Sequence, residues 1–201
     1  MIEDLTHGAA RISVRPDEAL SVISMVTWSG AITGVGANSP VFSLRNIGAN
    51  PVLVRRIGLG FITTTAFTAA QLVDFYLLAA RSWTVSDSGG TGIGLTGNNC
   101  KRRTSLAALT NVDCRISTTG ALTPGTRVND TNAFAQISGW SGGAGETIKL
   151  TPDNVLGRAS TDYPQVMATN EGFVIVLSSA MGAAGVGKLY VNIEVSEALA
   201  Y

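Results

Sequence analysis

The sequence contains little charge, and the charge it has is balanced. Asp, Glu, Lys and Arg together make up 14% of the 201 residues, against about 25% in an average soluble domain. The 14 basic residues equal the 14 acidic residues in number, so the net charge is zero. Proteins that bind nucleic acid usually carry an excess of basic side chains, which displace the counterions of the phosphates. The composition therefore predicts that nucleic acid is not a partner.

Lysine is the rarest charged residue type, with three residues against 11 arginines. Interfaces between proteins favour Arg over Lys, because a planar guanidinium loses less free energy on desolvation. A coding sequence rich in G and C would also raise the content of Arg, Gly and Ala. The bias therefore fits either a surface that is largely covered by neighbouring molecules or such a genome.

Histidine and cysteine are scarce as well. His7 is the only histidine, and Cys100 and Cys114 are the only cysteines. A Ser-His-Asp or Cys-His site needs a histidine base, and zinc sites draw on several His and Cys ligands. Two cysteines do not make a disulfide scaffold, and we expect two free thiols in a reducing cytoplasm. The sequence predicts no catalytic residues, no metal and no cofactor, and therefore a protein that is not an enzyme.

A long hydrophobic run is also missing. The first 20 residues are acidic and lack the apolar segment of a signal peptide. The stretch from Ala19 to Leu44 contains no charged residue, but several glycines, Asn38 and Pro40 interrupt it. A helix that crosses a bilayer needs about 20 mostly apolar residues in a row. We therefore expect no membrane segment.

Short segments rich in Val, Ile, Phe, Tyr and Thr, bounded by Gly, Asn and Pro, are what the sequence does contain, and they are typical of β-strands. The segment from Gln71 to Arg81 fits either an amphipathic helix or a buried strand, and its neighbours favour the strand. Many short strands with glycine-rich turns predict an antiparallel β-sandwich or jelly roll. The other predicted strands are Leu20 to Trp28, Val41 to Ile47, Val52 to Thr65, Val112 to Thr118, Thr147 to Leu150, Gly172 to Ser178 and Lys188 to Ser196.

The chain is long enough for one domain with a substantial core, and no linker divides it. We expect an N-terminal arm over residues 1–18 and a single β-sandwich domain over residues 19–201. The glycine-rich segment from Ser179 to Gly187 would close a hairpin between the last two strands. The low-complexity segment from Asp87 to Asn99 is predicted to be an exposed loop.

Two patterns suggest enzyme or cofactor chemistry without supporting it. Gly92, Gly94 and Gly97 match the G-x-G-x-x-G pattern of dinucleotide sites. That pattern functions between a buried strand and a helix that receives the pyrophosphate, and neither is predicted beside it. A glycosidase would need two carboxyl groups close together in a cleft. The available carboxylates are scattered and are expected to be solvated: Asp74, Asp113, Asp130, Asp153, Asp162 and Glu171.

Lys101, Arg102 and Arg103 form the only basic cluster. One interpretation is a contact with an acidic patch on a partner protein. The other is a solvated loop, which is what most charge runs of this kind are.

Three tryptophans, Trp28, Trp83 and Trp140, each lie near the end of a predicted strand or in a loop. They would suit a platform that stacks on sugars, anchors of a protein interface, or ordinary core packing. Core packing is the favoured interpretation.

Four segments carry a resemblance to a known group of proteins. They are NPVLVRRIGLGFITTTAFTAAQ (Asn50 to Gln71), ARSWTVSDSGGTG (Ala80 to Gly92), ISTTGALTPGT (Ile116 to Thr126) and NEGFVIVLSSAMGAAGVG (Asn170 to Gly187). These segments resemble virion-associated proteins encoded among the head genes of tailed bacteriophages and prophages. The resemblance extends from about Val41 to Glu197 and brings no catalytic residues with it. It implies a structural role in the virion and a fold similar to β-sandwich proteins that decorate or cement capsids.

The resemblance also implies partners and a location. A capsid decoration or cement protein would be made in the cytoplasm of the bacterial host and would reside in the virion, bound to the major capsid protein or to other virion proteins. Capsids offer local three-fold positions, and identical subunits usually assemble with closed symmetry, so we expect a homotrimer. The alternatives are a tail, neck or head-fibre component, and a carbohydrate-binding β-sandwich module.

Deleting residues 1–16 tests the expected arm. Its apolar residues Ile2, Leu5 and Ile12 would anchor it on a neighbour, together with contacts from Lys101 to Arg103. A terminus without core contacts adds little to folding, so the melting temperature of the isolated protein should stay nearly unchanged while retention on particles falls. Scanning calorimetry and sedimentation with particles measure the two effects. Unfolding of the truncated protein would show that the segment belongs to the core.

Overall fold

The computed structural model describes residues 3–4, 9–10, 19–95, 100–141, 143–149 and 164–199, and within these ranges the chain forms strands and no helix. The strands are β1 (Glu3–Asp4), β2 (Ala9–Ala10), β3 (Ser21–Trp28), β4 (Ser39–Asn46), β5 (Val52–Thr65), β6 (Gln71–Arg81), β7 (Thr91–Gly92), β8 (Val112–Ile116), β9 (Val128–Asn129), β10 (Ala135–Ser141), β11 (Thr147–Lys149), β12 (Gln165–Met167), β13 (Gly172–Leu177) and β14 (Val186–Glu197).

Two antiparallel sheets hold most of these strands. The first sheet has the order β11-β5-β14-β3, with β12 also paired to β5. The second sheet has the order β10-β6-β13-β4-β8-β7, with β9 paired to β6. The pair β1–β2 stands apart from both. The strands β3, β14, β5 and β11 of one sheet, and β4, β13, β6 and β10 of the other, have the connectivity of a jelly roll. The predicted fold class is confirmed.

The core lies between the two sheets. Phe61 of β5 and Phe75 of β6 meet across the interior with their ring centroids 5.7 Å apart. Within the second sheet, Phe42 and Phe173 pack at the same centroid separation of 5.7 Å. All four side chains are at most 1% exposed. Aromatic pairs at such distances add to the free energy gained by burying their area.

Alternation along the strands produced the most accurate predictions. Along β14, Leu189, Val191, Ile193 and Val195 are buried, while the residues between them are partly or fully exposed. Strand β5 has the bounds that the sequence predicts, and so does β6, which settles the ambiguity of that segment in favour of a strand. Both strands pair with neighbours on two edges, so their backbone groups are hydrogen-bonded within the sheets.

The predicted hairpin at Ser179 to Gly187 is wrong. Strand β13 lies in the second sheet and β14 lies in the first, so this connection crosses from one sheet to the other. Its glycines serve close packing: a Cβ atom at Gly185 would overlap the ring of Phe67, and one at Gly187 would overlap the ring of Phe61. The glycines of this segment therefore allow the backbone to pack closely against aromatic rings. In the sequence, such glycines look the same as those of a turn.

Strand β10, which lies at one edge of the second sheet, was not predicted. The side chains that β10 turns inward are small, Ala135, Gly139 and Ser141, apart from Ile137. Ser141 forms a buried hydrogen bond with Thr63 instead of an apolar contact. Period-two alternation of apolar residues is therefore weak here.

A two-part ribbon covers half of the outer face of the second sheet. Its segments, residues 83–90 and 122–127, are joined by backbone hydrogen bonds and by a β-bridge between Ser88 and Thr123. We call these segments the covering ribbon. Beneath it, Val174 and Val176 of β13 are at most 1% exposed. The predicted exposed loop over Asp87 to Asn99 is exposed from Ser88 to Gly92 and at Gly94, whereas Asp87 and Leu95 are buried and Thr91–Gly92 form β7. Residues 96–99 lie outside the described ranges.

The predicted arm, residues 1–18, lies outside the described residues except for the pairing of β1 with β2. The described part of the chain contains no helix that is long and apolar enough to cross a membrane.

Two glycines test the packing of the covering ribbon: Gly125 lies within it, and Gly120 lies just before its second segment. A Cβ atom at Gly125 would overlap the carbonyl oxygen of Val85, whereas one at Gly120 would meet nothing within 4 Å. Gly125→Ala should lower the free energy of unfolding by about 1–3 kcal/mol, because backbone atoms must move apart. The control Gly120→Ala should change it by no more than about 0.5 kcal/mol. Urea unfolding measures both, and equal effects would contradict the packing described here.

Candidate functional site

Among the described residues, no three His, Cys, Asp or Glu side chains come together to hold a metal ion. Both cysteines are free, as predicted, with Cys100 exposed and Cys114 buried. Burial raises the pKa of the Cys114 thiol, and the charge of Asp113 adds to this shift. The thiol therefore stays protonated and is a poor nucleophile. The side chains that stand out on the described surface are aromatic.

The first aromatic surface lies on the outer face of the first sheet, where Trp28 of β3 sits opposite Tyr190 of β14. The two ring centroids are 5.0 Å apart, with 48° between the ring planes. Trp28 is 49% exposed, and Val26, two residues earlier on the same face, is 58% exposed. We call Val26, Trp28 and Tyr190 the aromatic patch. Covering apolar side chains of this kind gains free energy, which makes the patch a candidate contact surface.

A glycine makes room for the tyrosine of the aromatic patch. On the side away from Trp28, Tyr190 pairs with Gly60 of β5. A Cβ atom at Gly60 would overlap the Tyr190 ring. The ring therefore lies across the β5 backbone, in space that any other residue would fill. Gly60 thus determines where the Tyr190 ring lies beside Trp28.

The aromatic patch reaches the edge of the first sheet, because β3 is the last strand of that sheet. On its free side, the N–H of Ser24 donates to the carbonyl of Cys100 at 3.0 Å. Backbone groups of alternate residues in a strand point to the same side, so those of Val26 and Trp28 point to this edge too. Within the described ranges no strand pairs with β3 beside them. Residues 96–99, which directly precede Cys100 at this edge, lie outside the described ranges.

The predicted basic cluster lies at the same edge. Lys101 forms an isolated β-bridge with β3, and its ammonium donates to the carbonyl of Leu106 at 2.8 Å. Arg102 reaches over the sheet to Glu194 of β14, with 2.6 Å between Nη2 and Oε2. Arg103 is exposed. The structure thus places the cluster beside the aromatic patch, which sequence separation concealed. The other predicted contact residues lie outside the described residues: Ile2, Leu5 and Ile12.

Trp83, the first residue of the covering ribbon, has a structural role. It is 1% exposed, and the guanidinium carbon of Arg127 lies 4.8 Å from its ring centroid. Arg127 forms a buried ion pair with Asp87, whose carboxylate also accepts the N–H of Gly125 at 2.8 Å. Burial lowers the pKa of Arg127 to about 10, so the guanidinium is still charged at neutral pH. The ion pair joins the two segments of the ribbon.

The second aromatic surface lies on the outer face of the second sheet, on the half that the ribbon leaves open. Trp140 of β10 is 71% exposed there, and it shares this face with Asp74 of β6. The Asp74 carboxylate accepts hydrogen bonds from Ser138 Oγ at 2.7 Å, from Gln136 Nε2 at 3.1 Å and from Ser178 Oγ at 2.5 Å. A buried carboxylate is tolerated when it is hydrogen-bonded in this way.

Two expectations about exposure are therefore wrong. Core packing describes Trp83, but Trp28 and Trp140 stand on the surface. Solvation was expected for all the carboxylates singled out, yet Asp74 is 4% exposed. Asp153 and Asp162 lie outside the described residues. The partners of Asp74 come from β10 and from Ser178, which directly follows β13, and the sequence does not reveal that these strands flank β6.

Asp87→Ala tests the buried ion pair. The change leaves the buried Arg127 guanidinium without its counterion, so the free energy of unfolding should fall by about 3–5 kcal/mol. The double variant Asp87→Ala, Arg127→Met also removes the unpaired charge, so its free energy of unfolding should fall by less. As a control, Asp130→Ala breaks an exposed pair with Arg81, at 3.1 Å, and should cost at most about 1 kcal/mol. Equal losses from Asp87→Ala and Asp130→Ala in urea unfolding would refute the assignment.

Comparisons with known proteins identify no family. No protein-family model matches the chain, and no curated protein matches it. Among solved structures, the chain is similar to one in a single-particle structure of maize chlorotic mottle virus, with a TM-score of 0.26 and 10% sequence identity, over 90% of this chain and 95% of that one. A likeness at this TM-score is too slight to support an argument about fold or function.

Proposed function

We propose that this chain is a structural protein of a tailed-bacteriophage virion that binds the assembled head as a decoration or cement protein. The observation that carries the proposal is the aromatic patch, in which the exposed Val26 and Trp28 lie beside Tyr190 on the outer face of the first sheet. Trp, Tyr and Arg are the residue types that dominate binding energy at protein interfaces. Here Trp28 and Tyr190 lie opposite each other, and Arg102 binds Glu194, four residues along β14 from Tyr190.

The free energy that the aromatic patch could contribute suits a weak contact that is repeated over many copies. Covering a half-exposed Val or Trp contributes on the order of 1–3 kcal/mol, which makes one contact weak by itself. A shell multiplies that contact over many copies. Low charge supports the same role, because few charged groups would have to be desolvated when neighbours cover the surface.

The jelly-roll fold and the resemblance to virion-associated proteins also support the proposal. Jelly rolls are the scaffold of viral capsid domains and of lectins, among others, and a fold alone does not determine function. The resemblance of segments such as Asn50 to Gln71 to virion-associated proteins favours the particle. Assembly as a trimer would match the local three-fold positions of a capsid.

A tail, neck or head-fibre position is the alternative within a particle, and location separates the two. Purified virions from a strain that encodes a tagged copy would be examined by quantitative mass spectrometry and by gold labelling in the electron microscope. A head protein should be present in a copy number comparable with that of the major capsid protein, with label distributed over the head. Label confined to the tail or neck, or absence from the particle, would overturn the proposal.

Trp28→Ala tests the aromatic patch directly. The loss of a central aromatic side chain should weaken self-association or retention on particles by about tenfold or more, the equivalent of about 1.4 kcal/mol. Analytical ultracentrifugation and sedimentation with particles measure the two. Val85→Ala, at a position 55% exposed on the covering ribbon, is the control and should behave as the unchanged protein. Unaltered association of a folded Trp28→Ala protein would exclude the patch as the contact.

A further inference from the structure

The open half of the second sheet's outer face has a regular arrangement of side chains. Strands β10 and β6 pair so that Trp140 lies opposite Leu72, Ser138 opposite Asp74, and Gln136 opposite Tyr76. Residues directly opposite each other on neighbouring antiparallel strands point to the same side of the sheet. The face therefore has an exposed indole at one end, a polar strip in the middle and a tyrosine at the other end.

Hydrogen bonds within the polar strip fix which groups remain for a ligand. Both hydrogens of the Gln136 amide are used, one on Asp74 Oδ1 at 3.1 Å and one on Ser138 Oγ at 2.9 Å. The hydroxyls of Ser138 and Ser178 donate to Asp74 as well. Since each hydroxyl has one hydrogen, what these side chains still have to offer is acceptors: hydroxyl lone pairs and the amide oxygen Oε1 of Gln136.

A ligand that matches this face must supply hydrogen-bond donors and a flat apolar surface. The acceptors of the polar strip call for hydroxyl groups, and the exposed indole of Trp140 calls for a C–H face that can lie on it. A pyranose ring has both, since its hydroxyls project around the rim while its C–H bonds project from the ring faces. We propose that this face binds a chain of neutral hexopyranoses, with Trp140 as the stacking platform and Ser138 and Gln136 as acceptors.

Charge argues for a neutral sugar. Phosphate, sulfate and carboxylate groups bring acceptors, which the polar strip cannot satisfy. The carboxylate of Asp74, beneath the strip, would also repel an anion. The strip itself contains no cationic side chain. Uronic and sialic acids are therefore poorer candidates than unmodified hexoses.

Spacing along β10 suits more than one sugar ring. Trp140, Ser138 and Gln136 are separated by steps of two residues, or roughly 7 Å each. A chain lying along β10 could stack one ring on Trp140 and place the next over Ser138 and Gln136. The covering ribbon bounds the face on the side of β13, where Val174 and Val176 are already buried. This site lies on the sheet opposite the aromatic patch, so the proposal does not depend on the decoration role.

Four hexasaccharides serve as probes: maltohexaose, cellohexaose, laminarihexaose and chitohexaose. Titration calorimetry with the full-length protein should detect binding of at least one of them in the micromolar to millimolar range. Trp140→Ala should weaken that binding by about tenfold or more, while Trp140→Phe, which keeps an aromatic ring, should retain most of it. Gln136→Leu, which removes an acceptor, should weaken it severalfold. The matched control is Leu199→Ala, because Leu199 is also 71% exposed.

The same variants distinguish a protein contact from a sugar site. If none of the four hexasaccharides binds at millimolar concentration, the proposal fails. It also fails if Trp140→Ala leaves oligosaccharide affinity unchanged, or if its only effect is to alter the sedimentation of the protein, which would assign this face to a protein partner. Circular dichroism confirms that each variant is folded.

Discussion

The contact between the two sheets is the constraint on which the rest of the molecule depends. Phe61 and Phe75 meet across the interior, and the inward side chains of β14 and β13 fill the space around them. Each sheet has to turn one face to this interior, because burial of apolar area is the dominant favourable term in folding. The two outer faces are not constrained in this way and can carry different side chains. The aromatic patch lies on one of them and Trp140 on the other.

The two outer faces differ because of what lies on them. On the first sheet, Gly60 leaves room for Tyr190 to pack against Trp28, and Val26 and Trp28 stay exposed. On the second sheet, the ion pair of Asp87 and Arg127 holds the covering ribbon, which protects only part of the face. The uncovered part is polar at its centre. The first face thus offers an apolar surface to a protein partner, and the second offers hydrogen-bond acceptors to a hydroxyl-rich chain.

Strands with strong alternation could be predicted from the sequence, and side-chain exposure could not. Strand β6 has the predicted bounds because apolar and aromatic side chains fill it apart from its two ends and Asp74. Strand β10 was missed because Gly139 and Ser141 replace the apolar residues that mark an inward face. The exposure of Trp28 depends on the register of β3 against β14, and that of Trp140 on where the ribbon stops. The exposure of both tryptophans depends on contacts between segments that are far apart in the sequence.

The exposed side chains of Val26 and Trp28 also bear on how much of this protein a cell can hold without aggregation. An apolar patch that is not covered by a partner tends to associate with other apolar surfaces. If the patch is the contact with a particle, a limited number of binding places would cover it. Copies made beyond that number would keep the patch exposed, and their association with one another would lead to aggregation.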